Sequence, residues 1–226
     1  MHLTFTLLSG GIDSTTALAK AIDDHGQDVA HAFSFDYGQR HRKELDAAEE
    51  ICEHYDIPHK TIKLGEQPVS TLTDNERLVP RVSYAELPAG MSPTYHHFRN
   101  GQFLSAAAAW AVSALHGEDH ATLYFGAHAE DAENWAYADC TPEFVGAMAN
   151  AIHVGTYQKV SLATPWIFMK KYQIIQEGEK LEVPYALTWS CYLGGAFHCR
   201  TCPTCRSRED AFEEAGVDDP TEYAKT

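Results

Sequence analysis

The stretch Ser9-Gly10-Gly11-Ile12-Asp13-Ser14 constrains this chain more than any other. It follows a short apolar run, Leu3 to Leu8, and opens a helical pattern running from Ser14 to His25. A strand, a glycine turn and a helix in that order build an anion site. Two glycines let the backbone approach a phosphate closely, and the first helical N–H groups point at it. Ser9, Ser14 and Thr15 add hydroxyl donors just beyond Leu8. No Gly-Lys-Ser/Thr follows the glycines, so this is not a Walker loop. A carboxylate at Asp13 suits a phosphate site when a metal ion lies between the two anions. The segment reads as a pyrophosphate cradle with a magnesium position. A plain turn ahead of an N-capped helix is the simpler alternative.

The pattern continues as alternating strands and helices. Asp28 to Phe35 reads as a second strand, ending at Asp36-Tyr37-Gly38-Gln39-Arg40-His41. Helical spacing follows over Arg42 to Tyr55, and His59 to Leu64 reads as a third strand. This alternation predicts an α/β fold with a doubly wound parallel sheet, whose ligands sit beyond the carboxyl ends of the strands. The region from Gly65 to Pro93 breaks the pattern with six prolines and glycines, and reads as a long excursion that covers the site. Phe103 to His116 is apolar nearly all round, which predicts a buried helix. Ala121 to Gly126 is another strand, leading into Ala127-His128-Ala129-Glu130-Asp131. Thr141-Pro142 starts a helix to Ile152. Tyr157 to Leu162 is the next strand, followed by helices over Lys170 to Lys180 and Pro203 to Ala215. The histidines at 96, 97, 116, 120 and 128 lack ligand spacing and read as surface or packing residues.

The formal net charge of -15 disfavours broad contact with a nucleic-acid backbone, which needs a basic surface. No apolar run is long enough to span a membrane, and the start, Met1-His2-Leu3-Thr4, lacks a signal-type stretch. The expected compartment is the cytoplasm, where the six cysteines are free, metal-bound or catalytic rather than disulfide-paired. Four of them fall at Cys191-x7-Cys199-x2-Cys202-x2-Cys205. Thiolates at this spacing close a tetrahedral zinc site, with an iron–sulfur cluster as the rival. Four protein ligands leave no open position, so the expected role is structural. The chain divides into 1–186, carrying the phosphate cradle, and 187–226, a small helical zinc-binding segment packed on it. Cys52 reads as core. Cys140, ahead of a helix start, is either a nucleophile or a packing thiol.

The opening motif resembles that of the PP-loop ATP pyrophosphatases, the adenine nucleotide alpha hydrolase-like enzymes that split ATP between its α and β phosphates. Together with the cysteine cluster it resembles the 7-cyano-7-deazaguanine synthase family, QueC. The blocks between agree: Phe35-Asp36-Tyr37-Gly38-Gln39-Arg40-His41 with Glu44-Leu45, then Arg99-Asn100 with Phe103-Leu104-Ser105, then Glu130-Asp131 with Asp139-Cys140 and Pro142-Glu143-Phe144. Thr164-Pro165 with Lys171, Leu187-Thr188-Trp189-Ser190-Cys191 and Cys202-Pro203 continue the match nearly to the end.

The resemblance implies an ATP-dependent ligase that turns 7-carboxy-7-deazaguanine and ammonia into the nitrile through acyl and amide adenylates. It implies ATP, Mg2+ and Zn2+ as cofactors, a homodimer, and a place in queuosine biosynthesis. Asp13, Ser14, Lys171 and Asp131 are the expected catalytic residues. Leu8, Ser9, Gly10, Gly11, Asp13, Ser14, Thr15 and Arg99 are expected to hold ATP. Asn100, Asp139 and Tyr137 are expected to contact the substrate, with Trp135 framing the flat base or packing in the core. Several positions depart from the family pattern: His97-Phe98, Trp135-Ala136-Tyr137-Ala138, Thr141 and Arg200. Those around Arg99 and Asp139 fall near the expected base pocket. A second possibility is therefore an amide ligase that passes the same adenylated acid to another amine, such as a protein N-terminus. A non-catalytic nucleotide sensor and a tRNA thiolase are the remaining classes, disfavoured by intact Asp13, Ser14 and Lys171 and by the acidic charge respectively.

Overall fold

The structure is a computed structural model, and it describes residues 1–225. Five parallel strands form one sheet in the order β3-β2-β1-β4-β5. They are β1 (His2–Leu7), β2 (Ala30–Asp36), β3 (His59–Lys63), β4 (His120–Tyr124) and β5 (Val160–Ala163). The helices are α1 (Ile12–His25), α2 (Lys43–His54), α3 (Arg99–Ser113), α4 (Pro142–Gly155), α5 (Lys171–Lys180) and α6 (Pro203–Ala215). The order reverses at β1, whose neighbours are β2 and β4. That switch point opens a crevice at the carboxyl ends of β1 and β4, where open α/β sheets bind ligands.

Both faces of the sheet are covered, as parallel strands require. Leu3, Phe5 and Leu7 of β1 face Leu104, Ala107 and Ala111 of α3 and Val145 and Ile152 of α4. On the other face Leu8, Ala30 and Ala32 pack with Leu18 of α1 and Ala48, Ile51 and Cys52 of α2. Leu18 and Ile51 are fully buried, which contributes about 1.5–3 kcal/mol each. A third cluster joins Ile12 and Ala19 of α1 to Ile175 of α5 and Ala211 and Phe212 of α6. The C-terminal segment is thus docked onto the sheet domain through α5 and α6.

Four differences from the sequence reading have physical causes. Helix α3 begins at Arg99, four residues before the expected Phe103. No neighbouring side chain caps it; the Asp139 carboxylate accepts the Asn100 N–H at 3.1 Å instead. The same helix is not buried all round, since Trp110 is 45% exposed with the Lys60 ammonium over its ring. Strand β5 begins at Val160 rather than Tyr157, because Tyr157 and Gln158 adopt positive φ and turn the chain. Trp135, a candidate for the base pocket or the core, is 71% exposed. The stretch 65–93 holds a single 3-10 turn, Tyr84–Glu86, as its only regular element. Among the described residues no helix is long and apolar enough to cross a membrane.

Candidate active site

The glycine turn sits at the switch point. Gly10 has φ +78°, and a Cβ there would lie 2.5 Å from the Glu44 carbonyl oxygen, so glycine lets α2 close against the turn. Gly11 caps α1 in an extended conformation with no side-chain partner. The Ser9 N–H donates to the Ser14 hydroxyl (3.1 Å), which donates in turn to the Gly11 carbonyl (3.2 Å). The Ser9 hydroxyl lies 3.0 Å from Ser14 Oγ. This ring holds the turn open at the head of a helix. Across the crevice, Gly126 follows β4; a Cβ there would meet the Asp13 carbonyl oxygen at 2.7 Å.

A cavity of about 220 Å3 fills the crevice. Of the expected nucleotide residues, Leu8, Ser9, Gly11, Asp13, Ser14 and Arg99 line it, as do Asn100, Asp131 and Lys171. Gly10 faces α2 instead. Thr15 is fully buried, and its hydroxyl donates to the Gly11 carbonyl at 2.7 Å, so it offers nothing to the cavity.

Asp13 and Lys171 meet at 3.3 Å from Oδ2 to Nζ. Burial alone would raise the Asp13 carboxyl, but Lys171 and the nearby His128 outweigh it and hold the group far below the usual carboxylate range. Burial would likewise lower Lys171, and Asp13 more than reverses that. The pair is therefore ionised. Lys171 is the first residue of α5, and its backbone N–H donates to Glu130 (2.8 Å), which fixes that helix start beside the cradle.

The second Asp13 oxygen, Oδ1, is buried with no hydrogen-bond partner. An anionic oxygen left so is costly unless something fills the gap. A hard cation suits it: oxygen donors are what Mg2+ takes, and Asp131 supplies a second carboxylate on the same cavity wall. The residues present fit magnesium.

His128 reads from the sequence as a surface or packing residue. It is fully buried, yet neither ring nitrogen has a hydrogen-bond partner. Its Nε2 lies 3.5 Å from Asp131 and 3.8 Å from Asp13, and its Nδ1 lies 3.9 Å from Glu130. Burial alone would lower the imidazole; Asp131 and Asp13 raise it instead. His128 stands just past the end of β4, at the carboxyl edge of the sheet.

On the β2 side, Arg99 donates to the Tyr37 hydroxyl (3.2 Å) and lies over the Tyr37 and Phe103 rings. Glu44 lines the cavity too, and burial pushes its carboxyl up against the pull of Arg99. Asp139 is outside this cavity and brackets α3 as described. The Asn100 side chain donates to the Asp139 carbonyl (3.2 Å) and the Cys140 sulfur (3.4 Å). Burial holds Cys140 well above the ordinary thiol range, so it stays protonated, the state of a packing thiol rather than a nucleophile.

A second cavity, of about 440 Å3, adjoins the first and shares Tyr84, Asp131 and Lys171 with it. Tyr137 lines this one, its hydroxyl held by Ser92 and Thr94.

The four C-terminal cysteines converge. The sulfurs of Cys191, Cys199, Cys202 and Cys205 all lie within 4.8 Å of one another, with Cys199 and Cys205 3.8 Å apart. A tetrahedron with metal–sulfur bonds of about 2.3 Å has edges of about 3.8 Å. Backbone N–H groups of Leu193 (3.4 Å), Thr201 (3.4 Å) and Cys202 (3.2 Å) donate to these sulfurs, as thiolates require. The donor set fits a closed tetrahedral metal. The segment reaches the cradle directly: the Trp189 N–H donates to the Gly10 carbonyl at 2.8 Å. Behind it Arg208, fully buried, donates to Thr188 (2.7 Å), Ser190 (3.3 Å), the Tyr185 carbonyl (3.2 Å) and Asp219 (3.1 Å).

Comparison with known proteins agrees with this layout. The family model described as "Queuosine biosynthesis protein QueC" matches residues 4–216. Among curated relatives, a 7-cyano-7-deazaguanine synthase of Methanoregula boonei is 42% identical over 220 residues, 96% of this chain and 97% of the relative. Those of Thermoplasma volcanium (41% over 225 residues, 97% and 90%) and Caldicellulosiruptor bescii (41% over 220 residues, 96% and 95%) bear the same name. Among solved structures, the U34-tRNA thiolase NcsA from Methanococcus maripaludis with its [4Fe-4S] cluster superposes with a TM-score of 0.50. It is 15% identical and covers 95% of this chain and 67% of its own, a likeness of fold alone. With the family model spanning nearly the whole chain, and relatives above 40% identity end to end, this protein belongs to the QueC family.

Proposed function

We propose that the chain converts 7-carboxy-7-deazaguanine, ammonia and ATP into 7-cyano-7-deazaguanine, releasing AMP and pyrophosphate. The observation that carries this is the ionised Asp13–Lys171 pair at the open end of the glycine turn, with the Asp13 Oδ1 atom unpartnered. The names of the full-length relatives point the same way.

A carboxylate is a poor electrophile with a poor leaving group, so it must be activated. Its oxygen attacks the α phosphorus of ATP, the bond to the β phosphate breaks, and pyrophosphate departs. The N–H groups at the head of α1, the Ser9 hydroxyl and Lys171 take up the departing charge. Mg2+ held by Asp13 and Asp131 supplies further neutralisation of the phosphate oxygens when bound. Ammonium sheds one proton to solvent, and the ammonia nitrogen attacks the acyl carbon. The carbon–oxygen bond breaks, AMP leaves with the electron pair, and another proton passes to water, giving the amide. A second ATP adenylates the amide oxygen, pyrophosphate departs and one N–H proton passes to water; the carbon–oxygen bond then breaks, AMP leaves with its electron pair, and loss of the second N–H proton gives the nitrile. Arg99 contributes fixed positive charge near the acid, and much of the rate comes from proximity.

Residues 1–186 act as the adenylating body. Residues 187–226 hold Zn2+ in a structural role through Cys191, Cys199, Cys202 and Cys205, and the protein works as a cytoplasmic homodimer. Mass spectrometry of the products from carboxy-deazaguanine, ATP and ammonium tests the assignment. A mass matching the nitrile, with AMP, supports it. An adduct formed only when another amine is added would instead make this chain an amide ligase.

A further inference from the structure

We propose that His128 is the positioning residue of the magnesium site: with Lys171 it grips one oxygen of Asp13, and it ties Asp13 to Asp131, so that Asp13 Oδ1 stays free for the metal. This rests on the magnesium-assisted adenylation proposed above. His128 is fully buried and lines neither cavity, so it stands behind the carboxylates rather than beside a substrate. Its Nε2 lies 3.8 Å from Asp13 Oδ2 and 3.5 Å from Asp131 Oδ2. Lys171 Nζ lies 3.3 Å from the same Asp13 oxygen. Two nitrogens therefore converge on Oδ2, while Oδ1 has no partner. A carboxylate held by one oxygen presents the other in a fixed direction, which is how groups behind a metal ligand set its orientation.

The far side of the ring is anchored in the same frame. Nδ1 lies 3.9 Å from Glu130, the carboxylate that accepts the Lys171 N–H at 2.8 Å. The Asp131 N–H donates to the His128 carbonyl at 3.2 Å, so ring and carboxylate share one turn. Asp13 comes from α1 and Asp131 from the turn after β4. One ring nitrogen faces both. Packing alone does not account for an imidazole here. Neither ring nitrogen makes a hydrogen bond, and buried groups left so are costly. An apolar side chain of similar volume would fill the space without that cost. An N–H at Nε2 offsets it by holding together two carboxylates that would otherwise repel. That N–H is present in the imidazolium and in one neutral tautomer alike, so the role does not depend on the charge of the ring.

The test uses Mn2+, which takes the same oxygen donors as Mg2+. Its binding to the full chain is read from the loss of the free-ion EPR signal, with no nucleotide present, so that the protein's own carboxylates are measured. His128→Leu, which lacks a donor, should weaken Mn2+ binding about 10–100-fold, while the melting temperature holds or rises. His128→Gln, whose amide N–H reaches the Nε2 position, should recover most of that affinity. AMP release should show the same split: the Mg2+ concentration for half-maximal rate rises in the leucine variant, and the rate at saturating Mg2+ is largely kept. Should leucine prevent folding, His128→Met makes the same comparison with glutamine. Unchanged Mn2+ affinity in the donor-free variant, an equal loss in the glutamine variant, or an affinity that falls only in step with the melting temperature would each overturn the role. So would nitrogen hyperfine coupling from an imidazole in the Mn2+ spectrum of the unmodified chain, which would make His128 a ligand. Mn2+ binding left intact by Asp13→Asn would defeat the magnesium position itself, and His128's part with it.

Discussion

The glycine turn and the cysteine cluster each present anionic donors without a partner, one Asp13 oxygen in the first and four converging sulfurs in the second, but they are held in opposite ways. The turn is shaped by the protein alone. Sheet hydrogen bonds, the Ser9–Ser14 ring and the approach of α2 at Gly10 fix it, and only the Asp13 Oδ1 atom lacks a partner. The cluster has little apolar packing of its own, chiefly Val79 with the cysteines and the rings around them. Its chain returns as a single bridge between His198 and Tyr223. Four converging sulfurs take the place of a core. A preformed site of the first kind does chemistry on what enters. A site of the second kind folds around what it binds.

The sharpest way to break this contrast is to remove charge from the turn. Asp13→Asn should lower AMP release by about 10²–10³, the range for losing one preorganised electrostatic group. The melting temperature should move little, since backbone shapes the turn; retained turnover would end the contrast. Next in size, Cys202→Ser should lose the metal by elemental analysis and lower the melting temperature by more than about 5 °C, because metal-binding energy is folding energy there. Activity should fall with it, because Trp189 hands a hydrogen bond to Gly10. A stable, metal-free, active variant would contradict a structural ion.

Gly10→Ala sharpens the contrast from the other side. It forces a side chain into φ +78° and against the Glu44 carbonyl, at a cost of about 1–3 kcal/mol, measurable as a shift in denaturant midpoint. The smallest effect is expected at Asp219. Burial would raise its carboxyl, but Arg208 and the hydrogen bonds it accepts hold it below the usual value. A depressed folded pKa gives stability that is present above the unfolded value of about 3.9 and lost as pH falls through the folded one. Asp219→Asn should therefore flatten the acid side of the stability–pH profile. An unchanged acid limb would remove this pair from the balance.

What the chain discloses before folding follows the range of its interactions. The parallel sheet, the turn between β1 and α1 and the helix from Pro203 to Ala215 rest on local spacing, and those are legible. So is the thiol convergence, because three of its members lie within one turn of chain. Asp139 is less legible: it reads as a substrate contact, yet its carboxylate caps a helix 39 residues earlier. Thr15 reads as a phosphate donor by position, but a helical threonine turns its hydroxyl back onto the preceding turn. His128 acquires meaning only when β4 is laid beside β1, which brings Asp13 to it across 115 residues. The second cavity is assembled from the 83–92 loop, the turns after β4 and helices α5 and α6, and no single stretch announces it.

The proposed reaction turns on one event, transfer of AMP onto an oxygen of the acid at the glycine turn. Turnover of 7-carboxy-7-deazaguanine carrying heavy oxygen in its carboxylate, with ammonium and ATP, tests it most directly. Each nitrile should be accompanied by two AMP molecules that carry the label in their phosphate. Unlabelled AMP, or label released into water or pyrophosphate, would contradict it.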